Sequence, residues 1–268
     1  MKKERERERA ATQQGMTLIE CMIALTLGML VILAATALLL SAQKTYLAID
    51  DSARIGDTGA FAMDALAAAI RQAAYADYSG AGAMTPPKPP GNTLFGLDDA
   101  TLKGRSQYPA RTHGINGSDA LFTRFMATDA TGAIDPNMLN CAGNSAQHAS
   151  APGNAEAIYN WSIFYIARDG SGEPELFCRY RSKSNEFHAD AIARGVDSMQ
   201  FLYGVDHNQD GLPDTFLNAD AIAASDWQKV VAVNIALSVR DTESKTERSR
   251  SSRLFHRTII LRNPRYAP

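Results

Sequence analysis

The spaced residue sets that run enzyme chemistry are missing from this chain. There is no HExxH, no GxSxG, no Walker-type phosphate loop and no GxGxxG, so no family of hydrolytic or nucleotide chemistry is signalled. The five histidines, His113, His148, His188, His207 and His256, show no ligand spacing. Neither sign of charge dominates: the formal net charge is -2. A weakly acidic body does not point to a nucleic-acid partner, and none is expected. Arg248, Arg250, Arg253 and Arg257 are interspersed with Glu243 and Glu247, which reads as a solvated loop. Tryptophan is scarce, and Trp161 and Trp227, with Phe201 and Tyr203, are expected in a core or a subunit contact rather than in a ligand cage. Composition is that of a globular protein, and 268 residues suffice for one substantial core or two small ones.

Charge is also missing where it matters most, throughout residues 21–43. At ~1.5 Å per residue this run crosses a ~30 Å hydrocarbon core as a helix. Before it lies a short leader, residues 1–15, with five Lys/Arg against three Glu, the kind of segment held on the cytoplasmic side of a membrane. A secretory signal cut near Ala35-Thr36-Ala37 and a plain bitopic anchor are the ordinary readings. Glu20 argues against both, because a carboxylate inside an apolar segment is expensive and calls for a partner.

Gly15-Met16-Thr17-Leu18-Ile19-Glu20 resembles the processing site of type IV prepilins, a Gly, an apolar residue, then Thr-Leu-(Ile/Val)-Glu. In that family a membrane aspartyl peptidase cuts after the Gly and the new N-terminal amine is methylated. The resemblance implies that Gly15 is the last leader residue, Met16 the mature N-terminus and Glu20 mature position five. Phe is the commoner residue where this chain has Met16. The physics agrees with the resemblance. Gly15 lets a peptidase approach its backbone. The Met16 amine of one subunit can neutralise Glu20 of the next, which offsets the desolvation of both and fixes one helix axially against another.

Tyr46, Ile49, Ala53, Gly56, Ala60, Met63, Ala67, Ile70 and Ala74 recur at spacings of three and four, one stripe of an amphipathic helix. The helix is therefore expected to run from Thr17 to about Tyr78, roughly 90 Å, with a bend allowed at Gly56 and Gly59. Residues 79–117, with the run Thr85 to Gly91 rich in proline, read as an irregular connection. Strand signals follow at 120–126, 159–167, 175–181, 198–205, 229–240 and 254–262, with a charged hairpin loop at 241–252. Strands after one long helix indicate an antiparallel sheet. The expected fold is α+β: a long N-terminal helix, transmembrane and then amphipathic, packed on a C-terminal antiparallel β-sheet. The divisions are a leader 1–15, a transmembrane or filament-core helix 16–43, its amphipathic continuation 44–78 and a β-rich head 79–268. In order, Met199 to Asp206, an Asp-rich loop, Trp227, Val230 to Arg240 and Leu261-Arg262-Asn263 resemble the PilW group of minor pilins.

Two features of the head carry possible chemistry. Asp206, Asn208, Asp210 and Asp214 stand at positions 1, 3, 5 and 9 of a loop with Gly211 at 6, and the Leu212 carbonyl could add an oxygen. This matches the first part of a calcium loop, closer to a β-hairpin calcium loop than to an EF-hand because position 12 is Leu217. The alternative is a polar turn whose side chains satisfy its own backbone. No other cofactor is expected. Cys21 lies in the apolar helix, so Cys141 and Cys178 are the pair available for a disulfide in an exported head; two unrelated thiols are the alternative.

What the resemblance implies is a structural subunit and not an enzyme: a minor pilin that primes pilus assembly, near the tip. Its partners would be the prepilin peptidase, other minor pilins, the major pilin, the inner-membrane assembly platform and, before assembly, membrane lipid. It would sit in the inner membrane with its head in the periplasm, then in the pilus. A pseudopilin of a type II secretion system and a tip adhesin or binding module are the alternatives.

Overall fold

The structure, a computed structural model, describes residues 16–75, 92–103, 110–127, 133–145, 159–182, 186–242 and 252–262. The leader with Gly15, the proline-rich run 85–91 and most of the charged loop 241–252 lie outside them. The chain divides into two compact units after Asp51.

In the first unit, helix α1 (Leu18–Gln72) begins. Its N-terminal part is long and apolar enough to cross a membrane, and its leucines, isoleucines and valines are exposed. The few hydroxyls in this stretch are satisfied within the helix. Thr26 donates to the Ile23 carbonyl at 2.9 Å, Thr36 to Ile32 at 3.0 Å and Thr45 to Ser41 at 3.0 Å. That is how a polar side chain is tolerated where no water is available.

In the second unit, the remainder of α1 packs on antiparallel sheets, the α+β arrangement expected. Five strands form one sheet in the order β1 (Leu94–Leu97), β4 (Ala120–Met126), β5 (Tyr159–Arg168), β6 (Pro174–Arg181) and β7 (Phe187–Arg194). A second sheet has the order β11 (Ser252–Ile260), β10 (Val230–Arg240), β8 (Val196–Val205) and β9 (Thr215–Leu217). β2 (Thr101–Lys103) and β3 (Ala110–Thr112) form a small hairpin.

The core lies between the two sheets and the helix. Ile55, Met63, Leu66 and Ile70 of α1 join Val233, Ile235, Leu237 and Val239 of β10, and Leu121, Phe164 and Leu176 of the other sheet. Each such side chain contributes about 1.5–3 kcal/mol on burial. β10 alternates buried Val and Leu with half-buried Asn234, Ala236 and Ser238, as a one-sided strand should. β5 instead is buried on both faces. Its outer face carries Ile163 and Tyr165, covered by Leu102 of β2 and by Phe95 and Phe122, whose rings stack at 4.3 Å.

Two expectations about the helix change. The expected stripe is buried from Met63 onward, at Met63, Ala67, Ile70 and Ala74, but not before it: Ala53, Gly56 and Ala60 are exposed or half-buried, and Ile55, Gly59 and Ala62 are buried instead, joined further on by Leu66 and Ala69. The helix also stops at Gln72 rather than near Tyr78. Ala74 turns into the left-handed region, with φ 61°. Its N–H leaves the helix ladder and bonds the Arg124 carbonyl of β4 at 3.0 Å, and the Tyr75 carbonyl accepts the Met126 N–H at 2.9 Å. The chain end of α1 is thus captured by a strand edge.

The disulfide Cys141–Cys178 joins the segment after Met138 to β6, with Cα atoms 6.4 Å apart and 37 residues apart in sequence. Charged pairs tie the rest together. Arg257 of β11 bonds Asp64 of α1 at 2.5 Å, and Arg253 bonds Ser52 at 2.9 Å. Arg240 reaches Glu173 at 2.7 Å.

Candidate functional site

The start of α1 is built by its first residues. Thr17 precedes the helix, and its hydroxyl accepts the Glu20 N–H at 3.3 Å. The Glu20 carboxylate reaches back to the Thr17 N–H at 2.9 Å and to the Thr17 hydroxyl at 3.0 Å. This is a capping box, Thr-x-x-Glu, in which two otherwise orphaned amide donors are satisfied reciprocally. Glu20 is therefore engaged within its own chain, an arrangement the sequence reading missed although Thr17-Leu18-Ile19-Glu20 displays the pattern. The carboxylate also sits in the first helical turn, where the positive end of the helix dipole favours it. Met16 is exposed just before the cap.

The loop 206–214 joins β8 to β9 and is closed by its own backbone. Asp206, fully buried, accepts the Gln209 N–H at 2.6 Å on one oxygen and the Gly211 N–H at 2.8 Å on the other. Asn208 accepts the Asp210 N–H at 2.9 Å, and Asp210 accepts the Leu212 N–H at 2.8 Å. Asp214 accepts the His207 and Asn208 amides at 2.7 and 3.2 Å. The side-chain amide of Asn208 lies between Asp210 and Asp214, at 3.1 and 3.2 Å from their oxygens. Gln209, at φ 66°, and Gly211, at φ 87°, supply the left-handed bends that bring these groups round. A cation would have to displace the Asn208 amide and compete with these N–H donors. Among the described residues, no three His, Cys, Asp or Glu side chains converge as a metal cage. The geometry is that of a self-satisfied turn.

A second polar cluster stands where the two sheets meet, and nothing in the sequence flagged it. Asp119, only 4 % exposed, accepts the Asp99 N–H at 3.1 Å and the Phe201 N–H at 2.8 Å, so one carboxylate bridges the loop after β1 to β8. Asp98 accepts the Ala219 and Asp220 amides at 3.0 and 2.8 Å. Asp99 bonds His113 at 2.7 Å and the Gly114 N–H at 2.9 Å, and these partners hold its carboxyl below the usual range. Burial raises the Asp119 carboxyl to about 6, and the neighbouring Asp98 and Asp99 push the same way against its two amide donors. The Tyr203 hydroxyl lies buried nearby without a hydrogen-bond partner among the described residues, its ring edge-on to Trp227 at 4.8 Å. Trp161 is a core residue with Arg124 stacked 3.5 Å from its ring centre.

Comparison with protein families gives two separate matches. Residues 163–263 match the family Type IV Pilus-assembly protein W, PilW, and residues 11–36 match the Prokaryotic N-terminal methylation motif. Over these two stretches the chain is similar to the PilW pilus-assembly family and carries a prepilin-type methylation motif. The PilW match begins inside β5 and runs past β11, so it covers the second sheet and the β5, β6 and β7 part of the first, while β1 and β4 lie before it. The methylation motif covers the capping box and the first part of the apolar helix. A PilW protein is a structural pilus component and not an enzyme. No curated protein and no solved structure matches the chain.

Proposed function

We propose that the chain is a minor pilin that primes assembly of a type IV pilus and lies near its tip. In this reading the prepilin peptidase cuts after Gly15 and the Met16 amine is methylated. The leader 1–15, the membrane or filament-core helix 16–43, its amphipathic continuation, which ends at Gln72, and the β-rich head then serve successive stages of one life cycle. The helix holds the subunit in the inner membrane with its head in the periplasm, and later enters the filament. Other minor pilins, the major pilin and the inner-membrane assembly platform are the partners.

The observation that carries the proposal is the capping box coinciding with the methylation motif. Glu20 is the only charged side chain of the apolar part of α1, and its carboxylate is turned toward the chain's own N-terminal end. A methylated amine on Met16 of a neighbouring subunit would find that carboxylate already directed to the mouth of the helix. Exchange of the Thr17 contacts for the neighbour's amine docks one helix against the next in a fixed axial register.

Mass spectrometry of the chain recovered from sheared filaments tests this directly. Methylated Met16 at the N-terminus is the expected result. A chain still beginning at Met1, or cut after Ala37, would overturn the reading. Glu20→Gln keeps part of the cap and is expected to insert and be processed but to enter filaments poorly. Gly15→Leu is expected to leave the unprocessed precursor.

A further inference from the structure

A groove of about 790 Å³ runs along the head between the end of α1, the segment 137–143 and the exit of β11. On the α1 side it is lined by the alanines Ala65, Ala68 and Ala69, which leave an apolar floor with little side-chain cover. The disulfide at Cys141 fixes the opposite wall against β6.

The charged residues of this groove are basic. They are Arg71, half-buried in the last turn of α1, and exposed Arg262, and among the described residues no carboxylate lines it. Neither arginine forms an ion pair among the described residues. The Gln72 side-chain amide donates to the Met138 sulfur at 3.9 Å, a weak acceptor. At the floor Ser162, 1 % exposed, accepts the Cys141 N–H at 3.0 Å, and its own hydrogen has no acceptor among the described residues. Two guanidinium groups, the Gln72 amide and the Ser162 hydroxyl thus share one space with the neutral amides of Asn137 and Asn140, and no carboxylate among the described residues answers the two positive charges. Buried donors are ordinarily satisfied, and an ionised acceptor forms the strongest such bonds.

We propose that this groove receives an extended acidic segment of a neighbouring pilin head, with an Asp or Glu carboxylate held between Arg71 and Arg262 and apolar side chains of the segment lying on the alanine floor. The proposal rests on the reading of the chain as a pilus subunit. Charge complementarity selects an acidic partner, and a volume of about 790 Å³ has room for a peptide segment where a single ion would leave most of it empty.

The test uses the full-length chain in detergent and a fluorescein-labelled octapeptide of alternating Asp and Leu, followed by anisotropy. Saturable binding is expected, weakened about tenfold by Arg71→Gln and again by Arg262→Gln. Ala68→Trp, an exposed position filled rather than a core position changed, is expected to abolish it. A peptide with Asn in place of Asp should not bind. Equal binding of the Asn peptide, no effect of the arginine variants, or no saturable binding would each overturn the proposal. Displacement of the peptide by an equal concentration of inorganic phosphate would overturn it too, leaving a simple anion site. Filaments from the Ala68→Trp strain should still carry methylated Met16, so loss of the groove and failure of the pilus reading give different results.

Discussion

Phe255 of β11 lies against Gly59 of α1 so closely that any Cβ at position 59 would overlap its ring. On helix propensity alone Gly59→Ala should stabilise the helix by about 1 kcal/mol. Here the ring must move, and overpacking of this kind costs typically 1–3 kcal/mol. Gly59→Ala is therefore expected to lower the denaturation midpoint of the head. Phe255→Leu in the same chain should recover part of the loss, which a double-mutant cycle in urea would measure. Additive effects of the two changes would mean that the ring and the helix are not in contact.

Tyr203→Phe is expected to be neutral or stabilising, by up to about 1 kcal/mol. The buried hydroxyl has no partner among the described residues, and burial together with Asp119 and Asp98 already raises its ionisation well above the ordinary tyrosine range. Removal leaves the edge contact with Trp227 in place. Thermal unfolding checks the sign, and a loss above 1 kcal/mol would show that the hydroxyl is bonded.

Stability of the head should contain a component that falls as pH rises. An unfolded aspartate titrates near ~3.9, whereas Asp119 in the fold titrates at about 6. Between these values the folded chain binds the extra proton. The contribution is complete below the lower value and is lost as pH passes through the higher one, a change on the order of 2–3 kcal/mol. Asp99, Asp169 and Asp226, whose carboxyls are lowered, act in the opposite direction. Comparison with Asp119→Asn isolates the one group. The stability gap between the two proteins should shrink from pH 4 to pH 7, and a constant gap would rule the assignment out.

For the loop 206–214, Asp206→Ala should cost about 1–3 kcal/mol, since the Gln209 and Gly211 amides lose their acceptor in a buried position. The self-closed turn predicts the same melting temperature in millimolar calcium and in chelator. A rise of several degrees with calcium would show the Asn208 amide displaced and a cation bound.

The long helix and the strands β4, β5, β6, β8, β10 and β11 were legible in the sequence because their signals are local. An uncharged run marks one, and alternation or a continuous aromatic and β-branched run marks the others. β1, β2 and β3 were not, because short strands in a glycine- and proline-rich stretch are held by pairing to distant residues: Phe95 pairs with Phe122, and Leu102 with Arg111. β7, with Ala189, Ala191 and Ala193, carries a composition that suits a helix and becomes a strand only by pairing with β6. At the helix start, the need of Glu20 for a partner was readable from its setting, but the first partner is Thr17, three residues away. The wrong choice of buried stripe has a plain cause. Alanines and glycines populate both sides of residues 53–62, so periodicity alone does not distinguish which side meets the sheets.

The reciprocal bonds at the head of the helix have a consequence for reversibility. A subunit whose acid were bare in lipid would be driven into the filament and trapped there. Thr17 leaves the charge of Glu20 in place but satisfies part of its hydrogen-bonding capacity. In the assembly proposed above, docking on a neighbour's amine would exchange these bonds for an ion pair, and leaving the filament would restore them, so at neither stage would the carboxylate lack a hydrogen-bond donor.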